Sequence, residues 1–342
     1  MTLVIAPKFS ARKFFQQAKQ YNATVTQYIG ELARYLLNMK ESAADRDHQI
    51  RIAVGNGMRR EVWEDFQRRF GIAEIGEFYG ATEGNVVLFN HSVGFEGTGA
   101  CGRAGFIVHK LMKFEFVKHD IEKEVPVRDA SGMCVLCERG ETGELLGLID
   151  NSDPSKKFRG YTDKEATAKK IIRDVKVKGD MYFRTGDLLR WDADGYIYFV
   201  DRIGDTFRWK GENVSTNEVS EVVSVFPGIL EANCYGVKVP NAQDGRACMA
   251  AITTKGHIDL AAFAKHVTSE LASYAIPQFL RALPKMESTG TFKQRKVNFV
   301  KDGFDPSVVK DPLWWFNPKT KTYEELDAPK YHKLFIAGGA RM

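Results

Sequence analysis

Apolar residues recur along this chain with two different periods, and each predicts a different kind of element. Val62, Trp63, Phe66 and Phe70 stand three or four positions apart, with Arg59, Arg60, Glu61, Glu64 and Asp65 on the remaining faces. That spacing predicts an amphipathic helix. Val25, Tyr28, Ile29, Leu32, Ala33 and Leu36 follow the same rule and predict another. Between them residues 51–54 read as a strand that empties into a Gly55-Asn56-Gly57 turn. Gly105-Phe106-Ile107-Val108 reads as a strand, and residues 111–149 as short strands separated by turns. Phe158-Arg159-Gly160-Tyr161 leads into a charged helix expected over 163–172.

Residues 188–191 and the aromatic, β-branched run 196–200 flank Asp192-Ala193-Asp194-Gly195, which predicts a β-hairpin. Beyond Arg202 the character changes. Ser215-Thr216-Asn217-Glu218 is a capping box that opens a helix bearing Val219, Val222, Val223 and Phe226, and Pro227-Gly228 stops it. Strands are expected at 234–239 and 247–253, then a helix from near Asp259 with Leu260, Phe263, Val267 and Leu271 inward. This alternation predicts an α/β fold with two domains, 1–201 and 202–342, divided at about residues 201–205.

At 342 residues both domains can bury ample core. The net charge of +5 arises from 49 basic and 44 acidic residues mixed along the chain, an excess too small and too dispersed to imply nucleic acid. The five cysteines are odd in number and irregularly spaced, which argues for free thiols in a reducing compartment. Cys134-Val135-Leu136-Cys137 has no second pair downstream and lies in an apolar run, so buried thiols are preferred to zinc. No apolar run reaches membrane-spanning length. A literal GxGxxG at Gly97–Gly102 lacks an acidic ribose partner, and a strand instead of a helix is expected after it, so a dinucleotide fold is rejected.

The chemistry concentrates in two blocks. Residues 184–215, RTGDLLRWDADGYIYFVDRIGDTFRWKGENVS, hold a carboxylate (Asp187) after a glycine, a cation (Arg202) at the end of the returning strand, and a charged Lys210-Gly211-Glu212 turn. An anion and a cation on paired strands suit a ligand bearing hydroxyls and phosphates. The second block is Glu77-Phe78-Tyr79-Gly80-Ala81-Thr82-Glu83-Gly84-Asn85. Both blocks, in this order, resemble adenylate-forming enzymes, and more narrowly the very-long-chain acyl-CoA synthetases, also called fatty acid transport proteins.

The resemblance implies the C-terminal portion of an adenylate-forming enzyme, comprising part of a large AMP-binding body and a small mobile α/β domain. It implies ATP-dependent ligation of a long or very long fatty acid to CoA through an acyl-adenylate, coupled to uptake. Thr82 would donate to the adenylate phosphate and Glu83 would hold Mg²⁺, for which an oxygen ligand is suited. Tyr79 and Gly80 belong to the same nucleotide-binding block, and Gly55, Asn56 and Gly57 would border the adenine. Asp187 and Arg202 would hold the ribose, against the plainer reading of a turn cap and a surface ion pair. Lys293, after Thr289-Gly290-Thr291-Phe292, would bridge the reacting carboxylate and the α-phosphate; the plainer reading is a solvated basic run with Arg295 and Lys296. Lys210 and Gly211 would fall at the pantetheine tunnel of CoA, and a hinge is expected near Gly204-Asp205.

The family's Ser/Thr/Gly-rich phosphate loop has no counterpart here and would lie upstream of residue 1, with a membrane-associated segment and much of the acyl-binding wall. The chain is therefore expected to be truncated and to turn over poorly alone. The terminal Ala340-Arg341-Met342 resembles a variant of the peroxisomal tripeptide. Two alternatives stay open: a non-catalytic binding module, and a ligase for another carboxylic acid of secondary metabolism.

Overall fold

The computed structural model describes residues 2–240, 242, 245–286 and 296–337. The chain is α/β and divides into two compact units, one of residues 1–119 and 126–199, the other of residues 120–125 and 200–342.

The first unit begins with a four-stranded sheet in the order Val25–Ile29, Ile52–Asn56, Glu74–Gly80, Val87–Val93. The first three strands are parallel and the fourth is antiparallel. Helices Gly30–Leu37 and Arg60–Phe70 make the crossovers, as parallel strands require. Trp63, Phe66 and Phe70 from the second helix pack with Tyr28, Ile72 and Ile75 in one core. Each such buried side chain contributes on the order of 1.5–3 kcal/mol of transfer free energy. A second sheet has the order Gly102–Arg103, Tyr196–Arg202, Met181–Trp191, Thr142–Leu148, Phe114–Val117, with Ile171–Arg173 pairing beside Met181–Trp191. The hairpin turn predicted at 192–195 is present: the Tyr196 amide donates to Asp192 Oδ1 (2.8 Å), and Gly195 takes φ +88°.

The second unit is built on a five-stranded sheet, Ile229–Val237, Ala247–Thr254, Phe279–Ala282, Leu313–Asn317, Thr322–Glu325. Helices Thr216–Ser224 and Leu260–Glu270 start where expected, with Ser215 and Asp259 accepting from the first-turn amides. Val219, Val223, Phe263 and Val267 bury their side chains in this unit's core.

Four local expectations are corrected. Residues 25–29 form the parallel edge strand Val25–Ile29, and the helix begins only at Gly30. Thr24, Val25 and Thr26 are β-branched, and pairing with Ile52–Asn56 outweighs a helical spacing that the chain shows by coincidence. Phe106–Met112 is a helix, not a strand, capped by extended Gly105 and left-handed Lys113. Its apolar side chains are not core: Phe106 is 77% exposed, Ile107 72% and Leu111 67%. A short apolar run carries no period that separates strand from helix. Ile171–Arg173 pairs with Met181–Trp191 as a strand, so the charged helix is only Lys164–Lys169. Gly55 and Asn56 lie inside the strand Ile52–Asn56, leaving the turn to Gly57.

A helix thus does follow the GxGxxG, and that ground for rejecting a dinucleotide site fails. The rejection rests instead on topology. The strand before the motif, Val87–Val93, is antiparallel, and Gly102–Arg103 pairs in the second sheet before the helix begins.

Candidate adenylate site

Strand Glu74–Gly80 carries the second sequence block to its C-terminal end in the first sheet, and Met181–Trp191 delivers Asp187 from the other sheet. The two meet: Tyr79 Oη donates to Asp187 Oδ2 at 2.6 Å, across 108 residues of sequence. Burial, followed by the adjacent Asp187 carboxylate, raises the Tyr79 phenol far above its ordinary range, so it stays a donor. Asp187 owes its aim to a bulge. The ladder with Thr142–Leu148 breaks between Arg184 and Leu188, and Gly186 takes φ +80° in the break. Thr185 Oγ1 fixes the bulge by accepting from the Asp187 amide (3.1 Å) and donating to the Leu145 carbonyl (2.8 Å). Arg184 pairs with buried Glu144 through Nε (3.0 Å) and Nη2 (2.8 Å), holding the strands on either side.

After Gly80 the chain turns tightly, the Gly84 amide donating to the Ala81 carbonyl at 3.0 Å. Thr82 and Glu83 occupy the exposed tip. Asn85 ties this turn to the rest of the unit, its Nδ2 donating to the carbonyls of Leu148 (2.8 Å) and Lys156 (3.0 Å). Tyr161 Oη donates to Glu83 Oε1 at 3.2 Å. Together these contacts enclose a cleft of about 290 Å³ whose lining includes Thr82, Glu83, Lys157 and Arg159. Gly147 makes the Asn85 contact possible, because a Cβ there would stand 2.2 Å from Asn85 Oδ1.

Glu77 has a role that the sequence reading did not give it. One carboxyl oxygen accepts from Tyr28 Oη and the other from the amide of Gly57, which takes φ +75°. Burial raises its pKa to about 8, although Tyr28 and the Gly57 and Met58 amides pull it down. Gly55 is a glycine because a Cβ would collide with the Tyr28 carbonyl at 2.2 Å, and Gly30 because its Cβ would meet the Gly57 carbonyl. The signal for Glu77 was an acid set between Ile75-Gly76 and Phe78-Tyr79 in the middle of a strand, which needs a buried partner.

Residues 1–147 match the family described as AMP-binding enzyme, and residues 218–293 the family described as AMP-binding enzyme C-terminal domain. The chain belongs to the AMP-binding enzymes. Long-chain fatty acid transport protein 2 of Rattus norvegicus is 45% identical to it over 336 residues, 97% of this chain and 53% of that protein. Long-chain fatty acid transport protein 1 of Mus musculus is 43% identical over 340 residues, 99% of this chain and 52% of that protein. The chain spans about half the length of the relatives it matches. ATP-bound MatB from Rhodopseudomonas palustris matches with TM-score 0.66 at 20% identity, over 87% of this chain and 54% of that one. O-succinylbenzoate coenzyme A synthetase (MenE) from Bacillus subtilis, in complex with AMP, matches with TM-score 0.60 at 21% identity, over 84% of this chain and 53% of that one. These structural likenesses establish the fold.

The second unit of this AMP-binding enzyme chain carries the remaining sequence-predicted residues. Arg202 ends the strand Tyr196–Arg202, and its carbonyl accepts from the amides of Asp205 (3.0 Å) and Thr206 (2.9 Å). Buried Asp201 accepts from the Arg202 amide (2.9 Å) and from the amide and hydroxyl of Thr216, so the turn is fastened to the start of helix Thr216–Ser224. Lys296 completes that network, its Nζ at 2.6 Å from Thr216 Oγ1 and 3.0 Å from Asp205 Oδ2. Lys296 is therefore not part of a freely solvated basic run. Lys210 and Gly211 form a two-residue hairpin turn between Phe207–Trp209 and Glu212–Val214, both at positive φ (53° and 85°). Lys293 and Ala340-Arg341-Met342 lie outside the described residues. Among the described residues no helix is long and apolar enough to cross a membrane, and no cluster of three or more His, Cys, Asp or Glu is placed to hold a metal. Cys134 is buried and Cys137 half-buried.

Proposed function

We propose that this chain supplies the ribose- and phosphate-binding part of an ATP-dependent ligase that joins a long or very long fatty acid to CoA. A carboxylate oxygen attacks the α-phosphorus of ATP and pyrophosphate leaves. A thiolate then attacks the acyl carbonyl, and AMP leaves. The first step drives one anion against another, so fixed donors and cations carry most of the catalysis. Asp187 accepts from the ribose hydroxyls while Tyr79 keeps it aimed, and Arg202 serves the same sugar. Gly55, Asn56 and Gly57, pinned through Glu77, border the base, and Gly80 lets the backbone pass close by. Thr82 donates to the α-phosphate. Lys293 bridges that phosphate and the fatty acid carboxylate, and Lys210-Gly211 borders the pantetheine arm of CoA.

The donor set fits magnesium. Glu83 offers one exposed carboxylate beside the Thr82 hydroxyl, and a magnesium ion shared with phosphates needs only one or two protein carboxylates. Bound there, the ion would neutralise charge on the phosphates. Membrane association and a peroxisomal address, read from Ala340-Arg341-Met342, belong to the same reading.

The observation that carries the proposal is the 2.6 Å contact between Tyr79 and Asp187, which unites two motif blocks in one place. ATP–pyrophosphate exchange with a panel of fatty acids tests it, with and without Lys293→Ala. Exchange that needs fatty acid and falls about 10²–10⁴-fold in the variant supports the ligase. AMP binding without exchange, unaffected by the substitution, identifies a binding module instead. Exchange with short or aromatic acids alone identifies a ligase of another acid.

A further inference from the structure

The cleft above the Thr82–Glu83 turn has a second wall, to which neither motif block assigns a function. We propose that Lys157 and Arg159 on that wall bind the β- and γ-phosphates of the nucleotide, and hold pyrophosphate once it has left. This deepens the ligase reading and rests on it.

Residues 157–160 belong to no helix or strand, and their side chains divide between the interior and the cleft. Phe158 faces inward and packs on Phe183 with ring centroids 4.8 Å apart. Lys157 and Arg159 are exposed and line the cleft. Their neighbour Lys156 is already committed to Asp153, whereas neither Lys157 nor Arg159 forms an ion pair among the described residues.

The segment is held at both ends by the turn it faces. Asn85 Nδ2 donates to the Lys156 carbonyl at 3.0 Å, and Tyr161 Oη donates to Glu83 at 3.2 Å. The two cations are thus carried on a backbone fixed relative to Thr82 and Glu83. Two positive side chains and one carboxylate leave the lining short of negative charge. A phosphate chain supplies it, and a divalent cation riding on that chain answers Glu83. Arg159 offers a planar fork for two phosphate oxygens and Lys157 a point charge. The volume points the same way. At about 290 Å³ the open cleft has room for a phosphate chain.

The test is isothermal titration of the full 342-residue chain with magnesium pyrophosphate, inorganic phosphate and, separately, AMP. It compares the unaltered chain with the Lys157→Glu/Arg159→Glu double variant, the conservative Lys157→Arg/Arg159→Lys variant and Asp187→Ala. Circular dichroism verifies that each is folded. The expected result is that charge reversal weakens pyrophosphate at least about 10–100-fold, the worth of one or two charged hydrogen bonds. AMP should stay within about twofold, since its single phosphate is assigned to Thr82, and the conservative pair should retain most pyrophosphate affinity. Asp187→Ala should do the reverse, losing AMP and keeping pyrophosphate. Unchanged pyrophosphate affinity on charge reversal overturns the inference, as does an equal loss of AMP or a preference for inorganic phosphate. If the unaltered chain binds AMP but not pyrophosphate, the inference fails and the ligase reading stands. If it binds neither, both fall.

Discussion

Replacing Glu77 by glutamine should make the first unit more stable at neutral and alkaline pH, the opposite of what loss of a buried hydrogen-bonded group usually brings. The carboxyl is buried and its pKa is raised from 4.5 to about 8, chiefly by burial. The sign follows from proton counting. Between those two values the folded chain keeps a proton that the unfolded chain has released. Stability from this group is therefore complete below about pH 4.5 and is lost as pH rises through about 8. The slope in that window is about 1.4 kcal/mol per pH unit, or roughly 3 kcal/mol between pH 5 and pH 7.5. Glutamine reproduces the neutral acid in shape. It keeps an acceptor for the Gly57 amide and can donate to Tyr28, but it does not titrate. Urea unfolding at half-unit pH steps measures the difference, with hydrogen exchange of peptides from residues 52–80 reporting this unit. The two proteins should be nearly equal at pH 5, and Glu77→Gln the more stable by about 3 kcal/mol at pH 7.5. A difference that stays constant within about 0.5 kcal/mol across the range would show that Glu77 does not titrate there and would refute the reasoning.

Asn85→Ala removes the donor shared by the Leu148 and Lys156 carbonyls and should cost about 1–3 kcal/mol, with faster proteolytic nicking over residues 150–161. Gly147→Ala should reproduce that nicking by pushing Asn85 away, although it removes no hydrogen-bonding group. Lys296→Met leaves Asp205 without its cation and should raise hydrogen exchange across residues 201–216, at a cost of about 1–2 kcal/mol in the second unit. Tyr79→Phe, which frees Asp187 of its buried donor, should weaken AMP binding about 10-fold without changing the fold, read by titration.

What the sequence disclosed was what local chemistry dictates. The hairpin turn at 192–195, the Ser215 cap, the helix start near Asp259 and the helix Arg60–Phe70 follow from short spacings, and each stands where predicted. The failures occur where a distant partner decides. Val25–Ile29 is a strand because Ile52–Asn56 lies beside it, and no pattern within residues 25–36 reports that. Phe106, Ile107 and Leu111 look like core by composition, yet they are exposed on a helix anchored through His109, whose Nε2 lies 2.7 Å from the Phe114 carbonyl. The motif residues of the site were legible by type. Their support was not. Glu77 finds Tyr28 across 49 residues and Asn85 finds Lys156 across 71, separations that no periodicity encodes. Lys157 and Arg159 belong to neither motif block, and only the cleft opposite Glu83 gives them a direction.

The central claim is that Asp187 grips the ribose of an adenylate, and a crystal structure of the protein bound to a non-hydrolysable fatty acyl-adenylate analogue tests it most directly. Both ribose hydroxyls should lie within about 2.6–3.2 Å of the Asp187 carboxylate, with the phosphate on Thr82 and Tyr79 still donating to Asp187. A ribose bound away from Asp187, with Tyr79 still donating to that carboxylate, would contradict it.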